Sequence, residues 1–317
     1  MLTKEDHVES NPRSSMRRRA SSLEDMEMED MTREDKVESI FEDRNEHFHF
    51  EPQTQHDEQK HERTMSFSLP EDLETEYVTA TALYKDLAKR VIHLYDVNKD
   101  NLRNGQLFIA IAGGPGSGKS TLAYEVAKRI NVRLKEGMAV AIPMDGFHYS
   151  RAELKKMAET EGAVYTYEEL LKRRGAPWTF NAQACIAAFQ EAREKGTANL
   201  PIYDRSVSDP IPDGVSLELT HTIVLLEGNY LLAWDDPAWA PLKGIFDETW
   251  YISCTTLEEQ RERLINRHLK TWTEEKMILW GEGRIGAERK ADSNDVLNSA
   301  WIHETSRHHA DMVLESK

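Results

Sequence analysis

The stretch IAGGPGSGKSTLAYEVAKRI, residues Ile111–Ile130, decides the fold. Apolar residues lead into it: QLFIAIAGG (Gln106–Gly114) is a short apolar run ending in glycines, the pattern of a buried strand. STLAYEVAKRI then reads as a helix. Between them Gly113, Gly114, Pro115, Gly116, Ser117, Gly118, Lys119 and Ser120 match G-x-x-x-x-G-K-[ST], with Thr121 following. Glycines let backbone N–H groups curl around a phosphate with no Cβ in the way. The helix that begins there turns its positive end to the anion. Lys119 can reach the β- and γ-phosphates, and the Ser120 hydroxyl suits Mg²⁺. A glycine turn with a chance lysine is the plain alternative. The placement between strand and helix is what the phosphate reading requires.

The 317 residues allow one large domain or two small ones. Residues 1–66 hold almost no aliphatic clusters and carry runs such as SSLEDMEMEDMTREDKVES. Dense charge with so little apolar surface does not offset ordering entropy, so 1–66 is expected to be a disordered acidic segment and 67–317 the folded domain. Within it, RRRASS (Arg17–Ser22) is either a solvated charge cluster or a site where a basophilic protein kinase phosphorylates Ser21 or Ser22. The net charge of −16 argues against binding nucleic acid through its phosphates. No stretch approaches a membrane span, and the polar start MLTKEDHVES is no signal peptide, so no membrane partner is expected. Two cysteines, Cys185 and Cys254, read as buried thiols in a reducing compartment, pointing to the cytoplasm.

Along the chain, Leu73, Tyr77, Ala80, Tyr84, Leu87, Val91 and Leu94 fall on one face of an amphipathic helix. MAVAIPMD is a second buried strand, HTIVLLEGNYLL a third, ETWYISC a fourth, and HHADMVLESK a last strand. Between them lie helical runs: YEELLKRRG stopped by Gly175, NAQACIAAFQEAREKG capped by Asn181 and Gly196, and TLEEQRERLINRHLK capped by Thr256. Apolar strands alternating with helices imply an α/β fold, a parallel sheet covered on both faces. Ligands then bind beyond the carboxyl ends of the strands.

The polar residues at those ends form a coherent set. Asp145 follows the second strand in PMDGFHYSR, where a carboxylate beside the γ-phosphate can accept the proton of an acceptor hydroxyl. His148 either shapes the acceptor site or caps the loop. Glu227 closes the third strand and can hold Mg²⁺ through water or contact the acceptor. Arg263 and Arg267 lie four apart on one helix. They are either a solvated face or a lid closing over polyphosphate. Arg173 and Arg174 beside Trp178 bind an anionic or planar acceptor, or buttress the loop. PIYDRSVSDPIPDG, with Tyr203, Asp204, Arg205 and Asp209, reads as a proline-punctuated loop over the acceptor site.

GGPGSGKST, PMDGFH, RRGAPWTF, PIYDRSVSDP and EGNYLL, in this order, resemble the uridine kinase, pantothenate kinase and phosphoribulokinase superfamily. The likeness leans to its bacterial and fungal pantothenate- or uridine-kinase-like branch. RLINRH and SNDVLN (Ser293–Asn298) look like that branch too, and the match runs from about Glu71 to the C-terminus. The resemblance implies a P-loop kinase fold with a five-stranded parallel sheet and a helical lid. It implies ATP- and Mg²⁺-dependent phosphate transfer to a small-molecule hydroxyl. By position Asp145 matches the family's base, Glu227 its second carboxylate, Arg263 and Arg267 its lid arginines, and Asn294 its nucleotide-side loop. YDRSVSDP lacks the histidine arrangement of true uridine kinases, which counts against uridine. The competing class is an ATPase-type regulator coupling nucleotide state to a protein partner. It has no need of acceptor-loop motifs.

Overall fold

A computed structural model describes residues 71–135 and 137–316. The acidic segment 1–66, with Ser21 and Ser22, lies outside the described residues. The chain opens on helix α1 (Glu71–Asn98), then β1 (Leu107–Ala112), α2 (Lys119–Arg133) and β2 (Ala139–Pro143). Helices α3 (Arg151–Glu159), α4 (Tyr167–Lys172) and α5 (Ala182–Lys195) follow. Next come β3 (Ala198–Asp204), β4 (Asp209–Leu217), β5 (Ile223–Gly228) and β6 (Glu248–Cys254). The C-terminal part holds α6 (Leu257–Lys270), α7 (Glu274–Trp280), α8 (Gly283–Lys290), a π-turn (Ala291–Asp295), α9 (Val296–Ser306) and β7 (Met312–Ser316).

Five strands make one sheet in the order β2-β5-β1-β6-β7, and all its pairs are parallel. β1 is central and fully buried. Its alternate side chains feed two cores, as the two-residue period of a strand requires. Leu107, Ile109 and Ile111 pack with Leu87 and Val91 of α1 and Leu122 and Val126 of α2. Phe108, Ala110 and Ala112 pack with Cys185 and Phe189 of α5 and with the apolar segment after β5. Pro143 ends β2 at the sheet edge, where a missing N–H costs no ladder bond. The expected caps are present: the Asn181 side chain accepts from Ala184 N and that of Thr256 from Glu259 N. Both cysteines are buried.

One expectation needs correction. PIYDRSVSDPIPDG is a two-stranded antiparallel ribbon, β3 with β4, and only its tip is a turn. The ladder slips between Leu200 and Ile202, which places Pro201 at the irregularity, where a proline can sit in a strand. Leu200 and Leu217 anchor the ribbon's base in the second core.

Candidate active site

The phosphate loop leaves the carboxyl end of β1 and enters α2 at Lys119. Gly116 and Gly118 turn it with φ of 79° and 85°, the left-handed region that glycine occupies freely. From the lid side the Gln260 amide donates to the Pro115 carbonyl at 2.6 Å and fixes the outer arm of the loop. The Ser117 hydroxyl is buried with no hydrogen-bond partner, a polar atom that a phosphate oxygen would satisfy. Lys119 is buried at the loop's end. Burial lowers its pKa against the pull of Glu227 and Asp145. These features fit a nucleotide phosphate.

Ser120 donates its hydroxyl to Glu227 Oε1 at 2.9 Å, so the helix start and the end of β5 meet at one point. An alcohol oxygen beside a carboxylate is an oxygen donor set suited to Mg²⁺. Burial raises the Glu227 carboxyl, helped by Asp145 and opposed by Lys119 and the Ser120 hydrogen bond. Asp145 lies just past β2, in the short turn Met144–Phe147. Burial pushes its carboxyl up, but His148, Lys119, Arg205 and Arg267 together outweigh it, and its pKa is lowered. Asp145 is therefore ionised at neutral pH, as a proton acceptor must be.

His148 is fixed against the Asp145 turn and the ribbon. Its Nδ1 lies 2.7 Å from the Asp145 carbonyl. A carbonyl only accepts, so Nδ1 carries the hydrogen. Burial lowers the imidazole's pKa, which leaves a neutral ring with Nε2 as acceptor. The ring lies on Phe180 (3.8 Å between centroids) and Tyr203 (4.9 Å), so it also shapes the wall beside Asp145. The two neighbouring arginines buttress. Arg174 donates to Asp209 Oδ1 and to the Tyr149 carbonyl, both at 2.8 Å, and lies over the Tyr203 ring. Arg173 donates to the Ser293 carbonyl at 2.7 Å and lies over Trp178, which stacks on Tyr165. Asp204 accepts from Ser206 N and Ser206 Oγ and so shapes the ribbon's turn. Tyr203 and His148 thus stand at the site, while Arg173, Arg174 and Asp204 are engaged in holding its walls.

A protein of Schizosaccharomyces pombe that carries a provisional uridine kinase name is 32% identical over 238 residues, 73% of this chain and 90% of its own length. The chain belongs to the uridine kinase-like P-loop kinases. It is a phosphotransferase. No protein-family model matches the chain. Among solved structures, a kinase from Silicibacter sp. TM1040 assigned to fructose transport is 26% identical with a TM-score of 0.58. It aligns over 73% of this chain and 98% of its own. A Saccharomyces cerevisiae P-loop kinase with a circular permutation shares the fold at 19% identity and a TM-score of 0.60, over 74% and 99% of the two chains.

The lid of this uridine kinase-like protein separates its two arginines. The charge of Arg267 bears on Lys119 and Asp145, so Arg267 faces the phosphate end of the site. Arg263, one turn earlier, reaches the end of β7. It donates to Ser316 Oγ at 2.6 Å and Glu259 Oε1 at 2.5 Å. The two arginines thus differ in surroundings: Arg263 is engaged at the end of β7, while the charge of Arg267 bears on Lys119 and Asp145. Asn294 donates to the Arg174 carbonyl at 2.9 Å and joins the lid's π-turn to the acceptor wall. Beside it His268 meets Asp295 at 2.5 Å with Lys290 3.4 Å from the same oxygen, a buried cluster. The Gln260 amide also reaches Ser299 Oγ at 3.0 Å, which donates to the Asp295 carbonyl. Sequence reading missed Gln260 and Ser299. Gln260 had one signal: it lies three residues before Arg263 and seven before Arg267, on the same helix stripe.

Proposed function

We propose that this chain transfers the γ-phosphoryl group of ATP to a hydroxyl of a small metabolite in the cytoplasm, through a catalytic unit spanning 67–317. One observation carries the reading: Asp145 and Lys119 stand just past the carboxyl ends of β2 and β1, on either side of β5, and each bears on the other's charge. The cradle Gly113–Thr121 binds the polyphosphate. Asp145 takes the proton from the acceptor oxygen as that oxygen bonds to the γ-phosphorus. The bond from phosphorus to the β–γ bridging oxygen breaks, and ADP leaves with the electron pair. Lys119 and Arg267 face the charge that develops on the transferring group. Ser120 and Glu227 would hold Mg²⁺, which when bound neutralises phosphate charge. His148 and Tyr203 line the acceptor side. The buried thiols Cys185 and Cys254 support a reducing setting.

The test is ADP release in the presence of nucleosides, hydroxy acids and sugars, with product mass confirmed. Acceptor-dependent turnover is expected, and Asp145→Asn should lower it by about 10²–10⁴-fold with ATP affinity held. ATP consumption indifferent to every acceptor and to Asp145→Asn would instead favour the nucleotide-state regulator.

A further inference from the structure

The arginines on the acceptor side are answered by the protein itself, with one exception. Arg151 forms a two-point pair with Glu275 at 2.6 and 2.8 Å. Arg174 pairs with Asp209, and Arg173 donates to the Ser293 carbonyl. The guanidinium of Arg205 makes no hydrogen bond or ion pair among the described residues. It stands at the tip of the β3–β4 ribbon, between Asp204 and Asp209.

The ribbon's path brings that tip to the reacting groups. β3 presses on the Asp145 turn so closely that a Cβ at Gly146 would lie 2.0 Å from the Pro201 carbonyl oxygen. Two residues further Tyr203 lies against His148. Arg205 follows two residues later, and its charge is felt by Asp145, His148, Glu227 and Lys119. From the lid side Lys276 of α7 is held by Thr271, and α7 itself is tied to the acceptor wall through Glu275 and Arg151. Arg205 and Lys276 act on each other as like charges. Two cations brought together without a shared carboxylate are relieved by an anion between them. Arg205 and Lys276 act on each other in a chain of formal net charge −16. The ribbon meets the Asp145 turn from the side of Gly146 and His148.

We propose that Arg205, backed by Lys276, binds an anionic group on the acceptor, a carboxylate or a phosphate. The substrate is then a hydroxy acid or a sugar monophosphate, and neither a nucleoside nor a free sugar. Arg205 acts as a specificity residue. This rests on the kinase reading above.

The experiment uses the full chain with ATP and Mg²⁺ and three matched sets of acceptors: hydroxy carboxylates, sugar monophosphates, and neutral nucleosides and free sugars. Wild type, Arg205→Ala and Arg205→Lys are compared by KM and kcat. Turnover is expected in one anionic set, and that set identifies the charged group. Arg205→Ala should raise the acceptor KM about 10–100-fold, the worth of a charge-assisted contact, and Arg205→Lys should recover part of it. The KM for ATP should stay unchanged. Efficient turnover of a neutral acceptor, indifferent to Arg205→Ala, overturns the proposal and leaves the kinase reading standing. A raised KM for ATP with an unchanged acceptor KM also overturns it, and makes Arg205 a phosphate clamp. ATP turnover that responds to no acceptor removes the kinase reading and this proposal with it.

Discussion

Gly146→Ala tests whether the ribbon positions the reacting carboxylate. A methyl group there would lie 2.0 Å from the Pro201 oxygen, 2.3 Å from its carbonyl carbon and 2.8 Å from Ile202 N. All three are backbone atoms, so no rotamer change relieves the clash. Gly146 does not occupy the left-handed region, so alanine meets a steric obstacle alone. A relaxed carbon–oxygen contact is about 3.4 Å, so turn and ribbon must part by about 1.4 Å. The ribbon is pinned by Leu200 and Leu217 in the core and by Arg174 on Asp209. The short turn carrying Asp145 is therefore the part that yields. Overpacking of this kind costs about 1–3 kcal/mol. A misplacement of about 1 Å at a reacting group costs about 10²-fold in rate. The assay is kcat/KM for the acceptor beside the Kd for ATP and the Tm. We expect the first to collapse, the second to hold and the third to fall modestly. A variant with wild-type Tm and acceptor kinetics would show that the ribbon does not set the place of Asp145.

Two further outcomes follow from the lid. Arg267→Ala should lower kcat by about 10²-fold with little change in ATP affinity, because a group facing developing charge acts mainly in the transition state. Arg263→Ala should instead lower Tm, since it leaves Glu259 without its partner, and equal kinetic losses in both variants would refute the separation of the two arginines. His268 gives a pH signature. Burial and the neighbouring Lys290 lower its pKa to about 4, so the folded chain keeps it neutral while the unfolded chain protonates it near its ordinary value. Stability should therefore fall as pH drops from about 6.5 towards 4. By pH 5 the loss should exceed that of His268→Gln by about 2 kcal/mol. Parallel denaturation curves for the two proteins at pH 7 and pH 5 would count against it.

The fold was legible where one physical rule dominated. β1 and α2 followed from Gly113–Ser120, and the strands from apolar runs too short and too dense for helices. Asp145 and Glu227 were legible because a parallel sheet gathers ligands at its carboxyl ends. The ribbon was not, since Pro201, Pro210 and Pro212 read as ladder breakers and the slip that accommodates Pro201 is a tertiary fact. α3 was missed although its signal stood in the text: Ser150 and Glu153 form a reciprocal cap. Arginine roles were the least legible. Arg173 and Arg174 are adjacent and Arg263 and Arg267 lie four apart, and neither spacing says which arginine is held by a carbonyl or carboxylate of the protein. The same holds for Arg205, whose guanidinium has no hydrogen-bond or ion-pair partner among the described residues.

The two strand-end carboxylates carry one more consequence. They share Lys119 as a counter-charge, yet their pKa values move apart, Asp145 down and Glu227 up. Burial pushes Asp145 up, and the charges of Lys119, Arg205 and Arg267, joined by His148 whenever that ring is protonated, hold it down. A carboxylate whose pKa is lowered is ionised at neutral pH, but it is also a weaker base. Bound nucleotide changes that balance. Phosphate oxygens against Lys119 and Arg267 divert the positive charge that Asp145 feels, and their own negative charge raises its pKa. Nucleotide binding should therefore bring Asp145 closer to the pH at which it works. A general base is active only when deprotonated, so the acid limb marks its pKa. With ATP saturating, the limb should lie at higher pH than in the free protein, where it is read by direct titration of the Asp145 carboxyl. Coincident positions would mean that phosphate charge does not reach Asp145, and would detach the base from the cradle on which this mechanism depends.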